Sequence, residues 1–156
     1  MVKLSSFSLS VSKVINAPLP FVYAWCTDFK EDDYRITGEK KKISILEKKQ
    51  NRYIISVVDK HGRRPLNAAK VVTLKPPNAW HLDWIGDEDD ELADYRLSPV
   101  GKRGTRLMVR FKVKNKIPTA ANRAQWEKHA NYVWDKYVAA LERDFSRVRV
   151  KARSRL

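Results

Sequence analysis

Thr119–Val148 reads TAANRAQWEKHANYVWDKYVAALERDFSRV. Apolar side chains recur at Trp126, Ala130, Val133, Trp134, Tyr137, Leu141, Phe145 and Val148. Steps of three and four put them on one face of a helix. Lys128, Asp135, Lys136, Glu142 and Arg143 fall on the opposite side, so the helix is amphipathic. At 1.5 Å of rise per residue it is about 40 Å long, the width of a small domain. A face that carries two tryptophans needs a broad apolar surface to lie on, and the residues upstream must supply it.

Upstream, the pattern is that of strands. Phe7, Leu9 and Val11 alternate with Ser6, Ser8, Ser10 and Ser12 as in a half-buried strand. The alternation slips at Val14–Ile15, which predicts a β-bulge there. Asn16-Ala17-Pro18 ends this strand. Pro18 and Pro20 then sit where the first turn of a helix tolerates proline, and that helix is expected to reach about Phe29. The polar and aromatic segment from Asp28 is read as a second short helix closed by Gly38.

Six further strands are expected. They run over Ile43–Glu47, Arg52–Val58, Leu66–Leu74, Trp80–Trp84, around Ala93, Tyr95 and Leu97, and over Leu107–Val113. Their connections are Lys48–Asn51, Asp59–Arg64 with His61, Pro76-Pro77-Asn78, the acidic run Gly86–Glu91 and Ser98–Gly104. Clean alternation in the last strands predicts a sheet with one wet and one buried face. Strand, short helices, strand meander and long helix together define an α+β fold: a curved antiparallel sheet gripping the C-terminal helix.

The residues also carry a resemblance. Val14-Ile15-Asn16-Ala17-Pro18 is followed by Phe21-Val22-Tyr23-Ala24-Trp25 and Asp28-Phe29. A second patch is Leu74-Lys75-Pro76-Pro77 with Trp80, and a third is Tyr95-Arg96-Leu97-Ser98-Pro99 with Gly104-Thr105-Arg106-Leu107. With the aromatic last helix, and in this order, these resemble the START-like helix-grip superfamily, often called SRPBCC. It includes polyketide cyclase-like and lipid-transfer proteins. The likeness covers residues 1–148 as one domain and leaves 149–156 as a basic tail. It implies a hydrophobic cavity between sheet and helix, and it does not imply one chemistry.

Composition narrows the classes. The 156 residues carry 32 Lys and Arg against 18 Asp and Glu, a net charge of +14. That charge suits an anionic lipid or membrane surface, nucleic acid or acidic protein, and equally a solvated charge-rich surface. Lys40-Lys41-Lys42, Lys48-Lys49, Arg63-Arg64 and the tail residues Arg147, Arg149, Lys151, Arg153 and Arg155 hold much of it. A nucleic-acid interface needs accessible aromatics beside such charge, and the tail has none beyond Phe145, so that partner is not favoured. No signal-peptide core and no bilayer-length apolar run are present, and the reading is a cytoplasmic protein.

No redox cofactor or metal is expected. Cys26 has no cysteine partner, and His61, His81 and His129 show no metal-ligand spacing. The superfamily's oxygenase branch uses two histidines and a carboxylate, a motif without a match here. Asp28, Tyr34, Asp83, Tyr95 and Tyr137 are the polar groups expected beside apolar surface, where burial shifts a carboxyl or phenol. They form no recognisable acid–base pair, and no catalytic residue is assigned.

Phe29, Tyr34, Trp84, Tyr95, Phe111, Trp126, Ala130, Val133, Trp134 and Tyr137 are the candidate ligand-binding residues, converging with Trp80 between sheet and helix. Such an aromatic stripe either fills a core or lines a pocket. The resemblance favours binding or transport of a hydrophobic small molecule, lipid- or polyketide-like. The alternatives are a cyclase or dehydratase using the same cavity, and an RNA- or protein-binding module using the basic surface.

Overall fold

The computed structural model describes residues 4–60, 62–118 and 120–154. His61, Thr119 and Arg155, assigned above to a loop, the helix start and the tail, lie outside them. Strand β1 (Ser6–Ile15) leads into helix α1 (Leu19–Cys26). Strands β2 (Lys41–Lys49), β3 (Arg52–Asp59), β4 (Leu66–Lys75), β5 (Ala79–Gly86), β6 (Asp89–Val100) and β7 (Gly104–Asn115) follow, then helix α2 (Arg123–Ser154). All seven strands form one curved antiparallel sheet in the order β1-β7-β6-β5-β4-β3-β2. Successive hairpins from β2 to β7 bring the chain back beside β1, and α2 lies across the inner face.

Alternation sets that inner face. Leu9, Val11 and Ile15 of β1, Leu107, Val109, Phe111 and Val113 of β7, and Ala93, Tyr95 and Leu97 of β6 are all buried. Each is separated by an outward residue, as a two-residue period requires. The motif patches are joined in space by hydrogen bonds. The buried Thr105 hydroxyl donates to the Ala17 carbonyl at 2.8 Å, tying the Gly-Thr motif to the Ala-Pro turn. Asn78 Nδ2 donates to the Leu97 carbonyl at 3.3 Å, and the Leu97 amide returns a bond to the Asn78 carbonyl at 2.8 Å. Tyr23 of α1 donates to the Ala79 carbonyl at 3.1 Å. At the other end of β7, Asn115 Nδ2 donates to the Ala121 carbonyl at 3.1 Å, just before α2.

Five local expectations are corrected. Pairing of β1 with β7 is continuous from Ser6 to Ile15, without a bulge at Val14–Ile15. The inward phase there is kept by Lys13, whose ammonium reaches Asp135 of α2 at 2.7 Å. The bulge lies in β2, between Ile45 and Glu47, and turns Leu46 outward to 67% exposure. Helix α1 stops at Cys26: its C-cap Thr27 leaves helical backbone angles, while its hydroxyl and amide satisfy the Tyr23 carbonyl at 2.7 and 3.0 Å. The second helix is only a 3₁₀ turn over Asp33–Arg35, since the Asp33 carboxylate takes the Lys30 amide at 3.0 Å in a local turn. The acidic run is a connection only at Asp87–Glu88; Asp89, Asp90 and Glu91 already pair in β6. At the C-terminus helix α2, expected to end at about Val148, continues to Ser154.

Candidate functional site

Between the sheet, α2 and the 27–40 segment lies a cavity of about 420 Å³. Small-molecule pockets fall in the same range, roughly 300–1,000 Å³. The ten candidate residues all line it: Phe29 and Tyr34 from the connecting segment, Trp84, Tyr95 and Phe111 from the sheet, and Trp126, Ala130, Val133, Trp134 and Tyr137 from α2. Asp28, Lys30, Asp32 and Arg35 also border it and are exposed, so the cavity meets solvent along that segment.

One wall is a chain of aromatic contacts. Trp80 stacks on Tyr95 with centroids 4.7 Å apart and planes within 7°. Tyr95 meets Trp134 at 5.8 Å, Trp134 meets Tyr137 at 5.4 Å, and Phe111 meets Trp126 at 5.1 Å. Edge and tilted geometries suit the ring quadrupoles and leave gaps that parallel stacking would close. Of these rings Trp80, Tyr95 and Phe111 are buried, while Trp126, Trp134 and Tyr137 are half-buried. The aromatics therefore bound an open space and do not fill it.

The polar part of the cavity is where the sequence reading falls short. Glu39, Lys70, Glu91 and His129 line it beside Tyr34 and Tyr137. Glu39 is pinned from three sides: the Thr37 hydroxyl donates to it at 2.9 Å, the Lys41 ammonium stands 2.9 Å away, and His129 Nε2 lies at 3.7 Å. Burial alone would raise its pKa, but His129, Lys41 and Thr37 outweigh this and hold it at about 2. Burial pushes Glu91 up to about 8, and the adjacent Asp89 carboxylate adds to the shift. Burial likewise lowers Lys70 to about 8, helped by the charge of Lys41. Burial raises the phenols of Tyr34, Tyr95 and Tyr137, which stay protonated.

Trp84 Nε1 donates to Asp89 at 3.2 Å, which fixes one rim of the cavity. Gly86 allows this, because a Cβ there would lie 2.8 Å from that indole nitrogen and 2.9 Å from the Asp89 carbonyl oxygen. The signal for Glu91 and Lys70 was the strand phase. Lys70 shares the phase of Ala68, Val72 and Leu74, and Glu91 that of Ala93, Tyr95 and Leu97.

Other candidates lie elsewhere or are inert. Asp83 faces away from the cavity and accepts from His81 at 3.1 Å, whose other ring nitrogen is 2.7 Å from Asp94. Asp28 pairs with Lys30 at 3.3 Å at the solvent border. Cys26 lines the cavity, and burial pushes its thiol up to about 12. Among the described residues no group of three or more His, Cys, Asp or Glu is placed to hold a metal ion, and no helix is long and apolar enough to cross a membrane.

The sequence matches no family profile and no curated protein. Solved structures do match. A Zhui aromatase/cyclase from Streptomyces sp. R1128 superposes with a TM-score of 0.71 at 13% identity, over 92% of this chain and 95% of that one. A START superfamily protein from Mycobacterium smegmatis gives 0.68 at 18% identity, over 90% and 98%. A conserved protein from Geobacillus kaustophilus gives 0.70 at 12% identity, over 90% and 96%. The chain has the START-like helix-grip fold.

Proposed function

We propose that this protein binds or carries a hydrophobic small molecule, lipid- or polyketide-like, in the cavity between sheet and α2. The observation that carries the reading is the 420 Å³ space walled by aromatic and aliphatic side chains, with a few polar groups at one side. The fold it shares with START superfamily and aromatase/cyclase structures supports the same class. Titrating the protein with fatty acids and neutral sterol-like compounds tests it through tryptophan fluorescence, since Trp84, Trp126 and Trp134 border the space. Capture inside the cavity persists at high salt, whereas attraction to the basic surface fades as the Debye length falls to about 3 Å at 1 M. If no apolar compound perturbs the emission, the carrier reading fails and an anionic membrane or nucleic-acid partner becomes the better lead.

A second reading has its own support. Glu91 and Lys70 border the cavity with pKa values moved toward neutrality, as an acid–base catalyst needs, and one structural neighbour is a di-domain ARO/CYC, StfQ. On that reading the protein closes a ring on a poly-β-ketone with loss of water. Incubation with a linear β-triketone such as heptane-2,4,6-trione, whose terminal methyl carbon attacks the far carbonyl and which becomes an aromatic diol with loss of one water, tests it by the new ultraviolet band. Turnover that falls about 10²-fold or more in Glu91→Gln supports the enzyme; no turnover removes it.

A further inference from the structure

One cross-strand row runs over the whole inner face: Ile45, Ile55, Lys70, Trp84, Glu91, Val113 and Phe7 are successive register partners from β2 to β1. Five of the seven are apolar. Lys70 and Glu91 stand two strands apart, either side of Trp84, roughly 10 Å between their Cα atoms.

The cations near this row differ in one respect. Lys41 is matched by Glu39 at 2.9 Å and Lys116 by Asp90 at 2.7 Å. Lys70 has no carboxylate within ion-pair distance among the described residues. Its ammonium instead lies 5.2 Å over the Phe29 ring and 5.9 Å over the Tyr34 ring. Aromatic faces attract a cation without cancelling its charge. A half-buried cation whose nearest carboxylates, Asp33, Glu39 and Glu91, act on it only at a distance is incompletely compensated, and a bound anion relieves the cost.

Resting on the binding role proposed above, we infer that the cavity selects ligands bearing one carboxylate and that Lys70 is the residue that holds it. Trp84 and the aromatic wall contact the apolar remainder. One unmatched cation balances one negative charge, so a dianionic phosphate head is left half-compensated in a desolvated site. Glu91 does not compete as an anion at neutral pH: burial, and the Asp89 carboxylate with which its carboxyl shares a hydrogen bond, raise its pKa to about 8. The other charged groups around Lys70 are Asp33 and Glu39 of the 27–40 segment, Lys41 of β2 and Glu91 with Asp89 of β6, while His129 of α2 stands beyond Glu39. Glu39 is committed to Lys41 and Thr37, and Asp89 to the Trp84 indole.

The test compares dodecanoate with 1-dodecanol and dodecyl phosphate, and 2-naphthoate with 2-naphthalenemethanol, by calorimetry on the full chain. At pH 7 each carboxylate should bind about tenfold or more tighter than its alcohol, as a charge-assisted hydrogen bond provides. Lys70→Met should bring the acid down to the alcohol's affinity and leave the alcohol unchanged. In the wild-type protein the preference should vanish between pH 7 and 9.5, as Lys70 loses its proton and Glu91 becomes an anion. Equal binding of acid and alcohol by the wild type, a preference that survives Lys70→Met, or tighter binding of the phosphate overturns the inference and leaves the cavity's binding role standing. Binding of none of the five overturns both.

Discussion

The space between the sheet and the helices has two ends, and they are built differently. At one end Ile15, Val22, Leu97, Leu107 and Leu141 are at most 1% exposed. Here α1 closes over the sheet and locks onto α2: Trp25 donates to Asp144 at 2.9 Å, Phe21 packs on Phe145 at 5.0 Å, and Glu142 accepts the Asn16 amide at 3.2 Å. At the other end Trp84, Trp126, Trp134 and Tyr137 are larger, yet none is fully buried. Helix α1 reaches them only through its last turn, where Trp25 meets Tyr137 at 6.2 Å and Cys26 lines the wall; the rest of the cover is the 27–40 segment with its single 3₁₀ turn. What leaves a cavity is missing coverage, not small side chains. The aliphatic end is the fold's anchor and the aromatic end its chamber.

The sharpest way to break this contrast is to truncate one residue at each end of α2. Leu141→Ala should cost about 2–5 kcal/mol in a denaturant melt, because it opens a hole in closed packing. Trp134→Ala should cost less, about 1–2 kcal/mol, although it removes more atoms, because those atoms already border empty space. Its larger effect should fall on ligand affinity. The opposite ranking would mean that the two ends are packed alike.

pH sharpens the comparison next, since the shifted groups belong to the chamber. Glu91 binds its proton more tightly folded than unfolded, so its contribution is full below pH 4.5 and is lost as pH rises to about 8. Lys70 binds its proton less tightly folded, so stability returns as pH rises from about 8 toward 10.5. Melts across pH should therefore show a shallow minimum near 8, with stability falling again above about pH 9 because burial also raises the Cys26 thiol and the Tyr34, Tyr95 and Tyr137 phenols. Glu91→Gln should flatten the acid side of that minimum and Lys70→Met the alkaline side. A featureless curve would place both groups in water.

Two smaller effects follow. Gly86→Ala should push the Trp84 indole off Asp89, shift the tryptophan emission and weaken ligand binding, with little change at the anchored end. Cys26 should react slowly with a thiol reagent in the folded protein, because its thiol pKa is raised to about 12, and a cavity ligand should slow it further. Fast labelling at neutral pH would mean that the chamber wall opens readily at α1.

The order of elements was legible because each has a distinct period: two in the strands, three and four in α2. The anchored end was legible for the same reason, since its residues obey that period without exception. The misreadings cluster where a charged residue occupies an inward position. Lys13 in β1 looked like a slip in register and was read as a bulge. Asp89, Asp90 and Glu91 looked like a loop, because a run of acids hides the alternation that continues through Ala93, Tyr95 and Leu97. Lys70 lay unremarked inside the strand expected over Leu66–Leu74. The eight positions on the strands and α2 could be named from periodicity, and Phe29 and Tyr34 as the aromatics of the connecting segment, but not whether they enclose space. That depends on how far α2 stands from the sheet, which no local pattern encodes.

Four of the hydrogen bonds that clasp the elements together share one property. Thr105, Asn78, Tyr23 and Asn115 each donate to a main-chain carbonyl, those of Ala17, Leu97, Ala79 and Ala121. Every residue has such a carbonyl, so each clasp constrains the identity of one position and leaves its partner free to vary, subject only to size. The instructions for joining strand, turn and helix are thus written in very few letters. The side chains of the chamber are not among them, so they can change without loosening these four joints. Ligand preference is therefore free to drift while the joints stay put.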